Sequence, residues 1–126
     1  MKKSLLTDLG LAILRVGISL MMIFGHGLGK FQNLIAGNFE FPNPIGIGST
    51  PSLFLAVIGE FIAPILILVG YKTRLAAIPA ALTMAVAFFA VHISDPFKVQ
   101  EKALLYLLVF IVIVFVGPGK FSVDKK

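Results

Sequence analysis

The chain has no cysteine and no tryptophan, only two tyrosines and two histidines, and few charges, with Asp and Glu numbering 6 and Lys and Arg 11 in 126 residues. Without cysteine there is no disulfide exchange, no thiolate nucleophile, no iron–sulfur cluster, no thiol-attached haem and no cysteine-ligated zinc. Charged residues make up 13% of the chain, against about a quarter in an average soluble domain. Apolar residues make up 58%. A domain this small leaves much of its surface in contact with solvent, so it cannot hide that much apolar side chain in water. The surplus must face lipid. The composition indicates an integral membrane protein of one domain and excludes a soluble enzyme and a disordered tail. The net charge of +5 does not bring nucleic acid back as a partner, because the basic residues stand singly or in pairs.

Four apolar segments have the length that a hydrocarbon core of about 30 Å asks of a helix, about 20 residues. The sequence predicts them over about residues 8–28, 52–69, 74–92 and 99–116, with an external loop over 31–51. The expected fold is therefore all-α, a four-helix transmembrane bundle. Lys2 and Lys3 before an apolar run resemble a signal peptide, but no small-residue cleavage site follows, which favours a retained helix. Seven basic residues (Lys2, Lys3, Lys72, Arg74, Lys120, Lys125, Lys126) fall on one side and three (Lys30, Lys98, Lys102) on the other. By the positive-inside rule both the N- and C-termini are expected in the cytoplasm. The short Gly70–Arg74 turn makes the second and third helices antiparallel neighbours. The 31–51 loop holds Phe31, Phe39 and Phe41 among glycines and prolines. It reads either as a lid on the bundle or as a spacer anchored by its aromatics.

Arg15 and Glu60 interrupt otherwise apolar segments. A charge deep in a bilayer costs at least roughly 2.5–3.5 kcal/mol, so it persists where it is paired or faces a polar cavity. Counted along the helices, Arg15 and Glu60 lie about 10 and 15 Å from the same membrane face. That depth suggests a mutual ion pair, serving either as a clamp between helices or as a polar site for a ligand headgroup or a proton. Pro64, four residues after Glu60, cannot donate to the Glu60 carbonyl and leaves a free acceptor beside the acid. Arg15, Ser19, Met22 and His26 recur on one helical face. That stripe reads as a ligand-facing wall or as one that satisfies Arg15. The external mouth is expected to gather His26, Lys30, His92, Asp95, Glu101 and Lys102. Their spacing is not that of a metal site, so no metal is expected. Histidines that titrate near neutral pH suit proton exchange with a redox-active ligand such as a quinone, or else they cap helix ends. Ala76, Ala80, Thr83, Ala87 and Ala90 form a small-residue seam on the third helix. The fourth helix beyond Tyr106 is apolar all round and is expected to face lipid or another protomer. Gly46 and Gly48 lack the strand and spacing of a nucleotide loop. The candidate ligand-binding residues are Arg15, Ser19, His26, Lys30, Glu60, His92 and Glu101.

In order along the chain, these features resemble the DoxX family of small four-helix membrane proteins. The resemblance rests on Arg15, then His26-Gly27 with Lys30, Gly59-Glu60, and the turn Gly70, Thr73, Arg74, Ala76, Ala77. It continues through His92, Glu101 before the Leu-Leu-Tyr-Leu-Leu run, and the tail Gly117 to Asp124. It implies a multi-pass protein of the inner (plasma) membrane related to the small subunit of thiosulfate:quinone oxidoreductase. It further implies no intrinsic cofactor and a quinone as bound ligand. With no cysteine, any redox electron must sit on such a ligand or on a partner. The leading expectation is binding of a quinone-like or other small amphiphile within a membrane redox system. The alternative is a non-catalytic accessory subunit of a larger membrane complex. Expected partners are the lipid bilayer and other membrane subunits or further copies of the chain.

Overall fold

The computed structural model describes residues 3–125, and among them every regular element is helical. Four helices are long and apolar enough to cross a membrane: α1 Ser4–Ile35, α2 Ser49–Val69, α3 Thr73–Val91 and α4 Phe97–Val116. Lys2 and Lys126, which entered the basic-residue count, lie outside the described residues. The all-α bundle is as expected, but α1 does not stop at Leu28. It continues to Ile35, so Lys30 and Phe31 are helical and the loop before α2 is shorter than 31–51.

Three of the four helices contain a π-helical turn: Ile23–Gly27 in α1, Ile58–Ile62 in α2 and Ala87–Val91 at the end of α3. Such turns insert one extra residue and are frequent at functional sites. In α2 the cause is legible. Pro64 has no N–H for the Glu60 carbonyl, and the Ala63 N–H bonds instead to the Ile58 carbonyl. The Glu60 carbonyl lies against Gly27, where a Cβ would come within 1.9 Å of it. A missing N–H and a missing side chain together make the α1–α2 crossing. On the other side of α2, a Cβ at Gly59 would lie 1.8 Å from the Thr83 hydroxyl of α3. Glu60 therefore sits where three helices come into close backbone contact.

The core is built from Met22, Ala63, Ile67, Ala76, Ala77, Ala80, Met84, Tyr106, Phe110 and Ile113. The small residues of α3 receive the large ones of α4, the close backbone approach that lipid-embedded helices need. Ala76 and Ala80 are buried, whereas Ala90 is exposed where α3 ends. Nor does α4 face only lipid or another protomer. Tyr106, Phe110 and Ile113 are buried against α3, while Leu105, Leu108 and Phe115 remain exposed.

After α4 the tail turns through Gly117 and Gly119, both at positive φ, and folds back under the bundle. The Lys120 N–H donates to Asp8 Oδ1 (3.1 Å), Val123 N–H to the Val69 carbonyl (3.1 Å) and Asp124 N–H to the Gly70 carbonyl (2.9 Å). The start of α1 at Asp8 and the C-terminal tail thus lie at the same end of the bundle. The Asp124 carboxylate accepts from Lys72 N–H (2.9 Å), Thr73 N–H (2.9 Å) and the Thr73 hydroxyl (3.0 Å). It caps the N-terminus of α3 from the far end of the chain. Asp124→Ala should therefore cost about 0.5–2 kcal/mol, the usual worth of an N-cap. Denaturant unfolding in detergent measures it, and an unchanged midpoint would remove the cap from the stability of the fold.

Arg15 is buried against this tail. Its guanidinium donates to the Pro118 carbonyl (2.7 Å) and to the Phe121 carbonyl (2.7 Å). Asp124 supplies electrostatic attraction nearby. The expected Arg15–Glu60 pair does not form. Each charge has a partner, but Arg15 is held by the C-terminal tail and Glu60 by Lys30. Depth along a helix could not reveal a tail that re-enters, nor an α1 long enough to bring Lys30 over α2.

Candidate functional site

Glu60 is 3% exposed, and its Oε1 accepts from Lys30 Nζ at 2.5 Å. A charge-assisted contact of this kind is the strong class of hydrogen bond. Lys30 also lies 5.8 Å from the centroid of the Phe41 ring. Next to the ion pair, Phe31 of α1 stacks on Phe61 of α2, with centroids 4.5 Å apart and ring planes 10° from parallel. The stacked rings and the Gly27–Glu60 approach fix the two helices in one register, so the pair is held rather than floating.

The pair sits in the wall of a half-open cavity of about 690 Å³, lined by all four helices and by Phe41, Pro42, Pro44 and Ile45 of the connecting loop. That volume lies inside the range of small-molecule sites, roughly 300–1,000 Å³. Much of the lining is apolar, including Leu55, Ile58, Leu82, Val86 and Val91. The polar groups are few: His26, Lys30, Ser52, Glu60, Thr83, His92, Lys102 and Tyr106. The Thr83 hydroxyl is occupied, donating to the Pro79 carbonyl at 2.8 Å. The Ser52 hydroxyl is buried and has no hydrogen-bond partner among the described residues. Ser52 contributes to the cavity wall, and a buried hydroxyl without a partner costs free energy until one is supplied.

At the end of the cavity away from the chain termini, the His26 ring meets Tyr106 edge-on, with centroids 5.4 Å apart. His92 Nδ1 lies 2.8 Å from Asp95 Oδ2. Gln100 donates to the His92 carbonyl (3.0 Å) and the Ile93 carbonyl (2.9 Å), which fastens the α3–α4 connection. The loop therefore does more than span a gap: Phe41 is half-buried and covers the Lys30 side chain, as a lid would.

Of the candidate residues, the structure brings His26, Lys30, Glu60 and His92 to one cavity. Arg15, Ser19 and Glu101 are not among its lining residues. Arg15 and Ser19 share the inner half of the α1 stripe and are buried in the bundle. The π turn at Ile23–Gly27 adds a residue between them and Lys30, which rotates the outer half of α1 relative to the inner. Glu101 is exposed, because the face of α4 that meets the cavity is that of Lys102, Ala103 and Tyr106. Sequence reasoning passed over Ser52 and Tyr106. A serine next to a proline at a helix start looks like ordinary capping, and Tyr106 looked like the edge of an apolar run.

The DoxX family model matches residues 10–93, which takes in α2, α3 and nearly all of α1. The chain belongs to the DoxX family. Within the DoxX match lie His26, Lys30, Ser52, Glu60 and His92, while Lys102, Tyr106 and the tail that holds Arg15 lie beyond it. The chain is 35% identical to an uncharacterized protein of Haemophilus influenzae, over 92% of this chain and 89% of that one. It is 34% identical to a Bacillus subtilis protein named "Putative oxidoreductase CatD", over 93% of this chain and 86% of that one. A second uncharacterized Haemophilus influenzae protein is 27% identical over 86% of this chain and 82% of its own length. No solved structure matches the chain.

Proposed function

We propose that this DoxX-family membrane protein binds a quinone-like or other small amphiphile in the four-helix cavity and serves a membrane redox system. The carrying observation is the Lys30–Glu60 pair and the unpartnered Ser52 hydroxyl in an otherwise largely apolar cavity. A compact head with hydrogen-bonding oxygens suits those donors, and a hydrocarbon body suits the walls. Lys30 and Ser52 would hold the head, and Glu60 would keep Lys30 charged and aimed. His26 or His92, both on the cavity wall, would exchange a proton with the head where water reaches them. Arg15, occupied by the tail, has no part in holding the ligand. A bound quinone would supply two-electron, two-proton chemistry. The name of the Bacillus subtilis relative supports the redox half of the reading.

The test is a mass spectrum of an organic extract of the purified protein, run for the native chain and for His26→Ala. The expected result is a bound amphiphile in the first and less of it in the second, with the same unfolding midpoint. An empty extract together with stoichiometric co-purification of a large membrane protein would support an accessory subunit instead.

The protein is further proposed to lie in the inner (plasma) membrane with both termini in the cytoplasm, on the strength of the basic residues at the terminal end. A reporter fused after Lys126 that works only outside the cytoplasm should stay silent. A strong external signal would reverse the orientation.

A further inference from the structure

The helices α2 and α3 press together at Gly59, where a Cβ would lie 1.8 Å from the Thr83 hydroxyl and 3.0 Å from the Pro79 carbonyl. Toward the loop end of the bundle they part, and the Ser49–Val57 half of α2 has few contacts with α3. Four residues that line the cavity are exposed on this flank. They are Leu55 (50%) and Ile58 (42%) on α2, and Leu82 (61%) and Val91 (41%) on α3. A residue that lines a cavity and is also half exposed stands at its rim, and this rim is wholly apolar. Ile58 is nine residues from the start of α2 at Ser49, and Leu82 is nine from the start of α3 at Thr73, at the opposite end of the bundle. At 1.5 Å per residue each lies about 13.5 Å from its end, close to the middle of a hydrocarbon core about 30 Å thick. The opening therefore faces acyl chains rather than headgroups or water. Glu60 is two residues from Ile58, so the Lys30–Glu60 pair lies nearly level with the opening.

We propose that the α2–α3 flank is a lateral portal, through which the cavity takes its ligand sideways from the hydrocarbon layer. The polar head reaches Lys30 and Glu60, and the apolar chain stays in the mouth framed by Leu55, Ile58, Leu82 and Val91. The ligand class narrows accordingly to a lipid-dissolved molecule with a compact head on an apolar chain, and a solute arriving from water does not fit. This rests on the amphiphile reading of the cavity. Mouth and cavity are one space lined by one set of residues, so no packed wall has to open for the ligand to pass. The loop end of the cavity is built differently: Phe41, Pro42, Pro44 and Ile45 lie there. A chain in the mouth exchanges lipid contacts for protein contacts, so its contribution comes from shape rather than from escape from water.

The chain has no cysteine, so one introduced thiol marks one place. Leu82→Cys and Ile58→Cys put it on either side of the mouth. Val99→Cys puts it at the loop end of the cavity, and Leu75→Cys on α3 at an exposed position that does not line the cavity. Each variant is reconstituted in phosphatidylcholine discs and measured before and after reaction with pyrenyl maleimide, which adds bulk at the thiol. Two probes are compared, a dimethoxy-methyl-benzoquinone carrying a decyl chain and the same ring without a chain. Binding is read from the rise of the unfolding midpoint with probe concentration. Labelling at Leu82 or Ile58 should weaken the decyl form about tenfold, the scale of loss when added bulk takes volume that another group needs. The chain-less ring should bind as before, and labels at Val99 and Leu75 should change neither probe. If the label at Val99 gives the selective loss and those at Leu82 and Ile58 do not, the chain leaves by the loop end and the portal falls while the cavity reading stands. Equal weakening of both probes, or no change in either, likewise means that the mouth holds no chain. If a second copy covers the flank instead, the Leu82 label will shift the oligomeric state without chain selectivity, which also overturns the portal. If the native protein binds neither probe, the cavity reading fails first and the portal with it.

Discussion

Glu60→Gln is expected to lower the stability of the protein in detergent and to abolish retention of the proposed amphiphile. Breaking a buried ion pair by removing one partner costs roughly 3–5 kcal/mol, because the remaining charge is left uncompensated. The figure here should fall near the lower limit, since 27% of the Lys30 side chain is exposed against 4% of Glu60. Lys30 could then swing outward, but doing so would uncover the Phe41 ring and withdraw a donor from the cavity. Lys30→Met should show the mirror image, a buried carboxylate without its cation. The double variant Lys30→Met with Glu60→Gln removes both charges and should recover much of the stability but none of the ligand binding. That split separates the structural share of the pair from its share in binding. Additive stability losses in the double variant would show that the two side chains are not coupled, and retained ligand would remove the pair from the site.

Much of the architecture was legible without coordinates because bilayer thickness is a strict ruler. Four apolar runs of the right length leave little freedom, and a single turn of Gly70–Arg74 makes α2 and α3 neighbours. The demand that Arg15 and Glu60 find partners was also legible, since neither charge can stand alone in lipid. The partners themselves were not. The apolar run ends near Leu28, yet Gly27 is where α1 must press its backbone against the Glu60 carbonyl, and the helix runs on to Ile35. A glycine that ends a helix and a glycine that permits a crossing look alike in a single sequence. The continuation carries Lys30 to Glu60.

Pro64 gave a better signal. Its missing N–H pointed to a freed carbonyl at Glu60, and a π turn lies there. No comparable residue announces the π turn of α1, so the face of Arg15 and Ser19 was extrapolated onto His26 as if the helix were regular. The candidate site thus divided at that turn, with the outer residues in the cavity and the inner ones in the packing. Ser52 carries no sequence signal at all. Its interest comes from an unpartnered hydroxyl on a cavity wall, which is a property of the assembled helices.

Arg15→Leu should loosen the terminal end of the bundle while leaving the cavity competent. The Arg15 guanidinium ties α1 to two carbonyls of the tail, Pro118 in the buried interior and Phe121 nearer the surface. Leucine offers neither a donor. Each orphaned carbonyl that stays dry costs about 1–3 kcal/mol, so the loss is roughly 1–3 kcal/mol once water reaches the outer one. Part of that is returned, because a buried guanidinium carries its own desolvation cost and Arg15 Nε has no hydrogen-bond partner among the described residues. The tail is also what presents Asp124 to the N-terminus of α3, so its release removes that cap together with the bonds to Val69, Gly70 and Asp8. Arg15→Lys keeps the charge but replaces a planar fork with a single ammonium, and should recover only part of the loss. Two readouts separate the tail from the site. Trypsin should cut at Lys120 and Lys125 faster in Arg15→Leu than in the native protein, while retention of the proposed amphiphile below the unfolding midpoint should be unchanged. Equal cleavage rates would mean that the tail is held without Arg15. A loss of binding with an intact tail would return Arg15 to the ligand site.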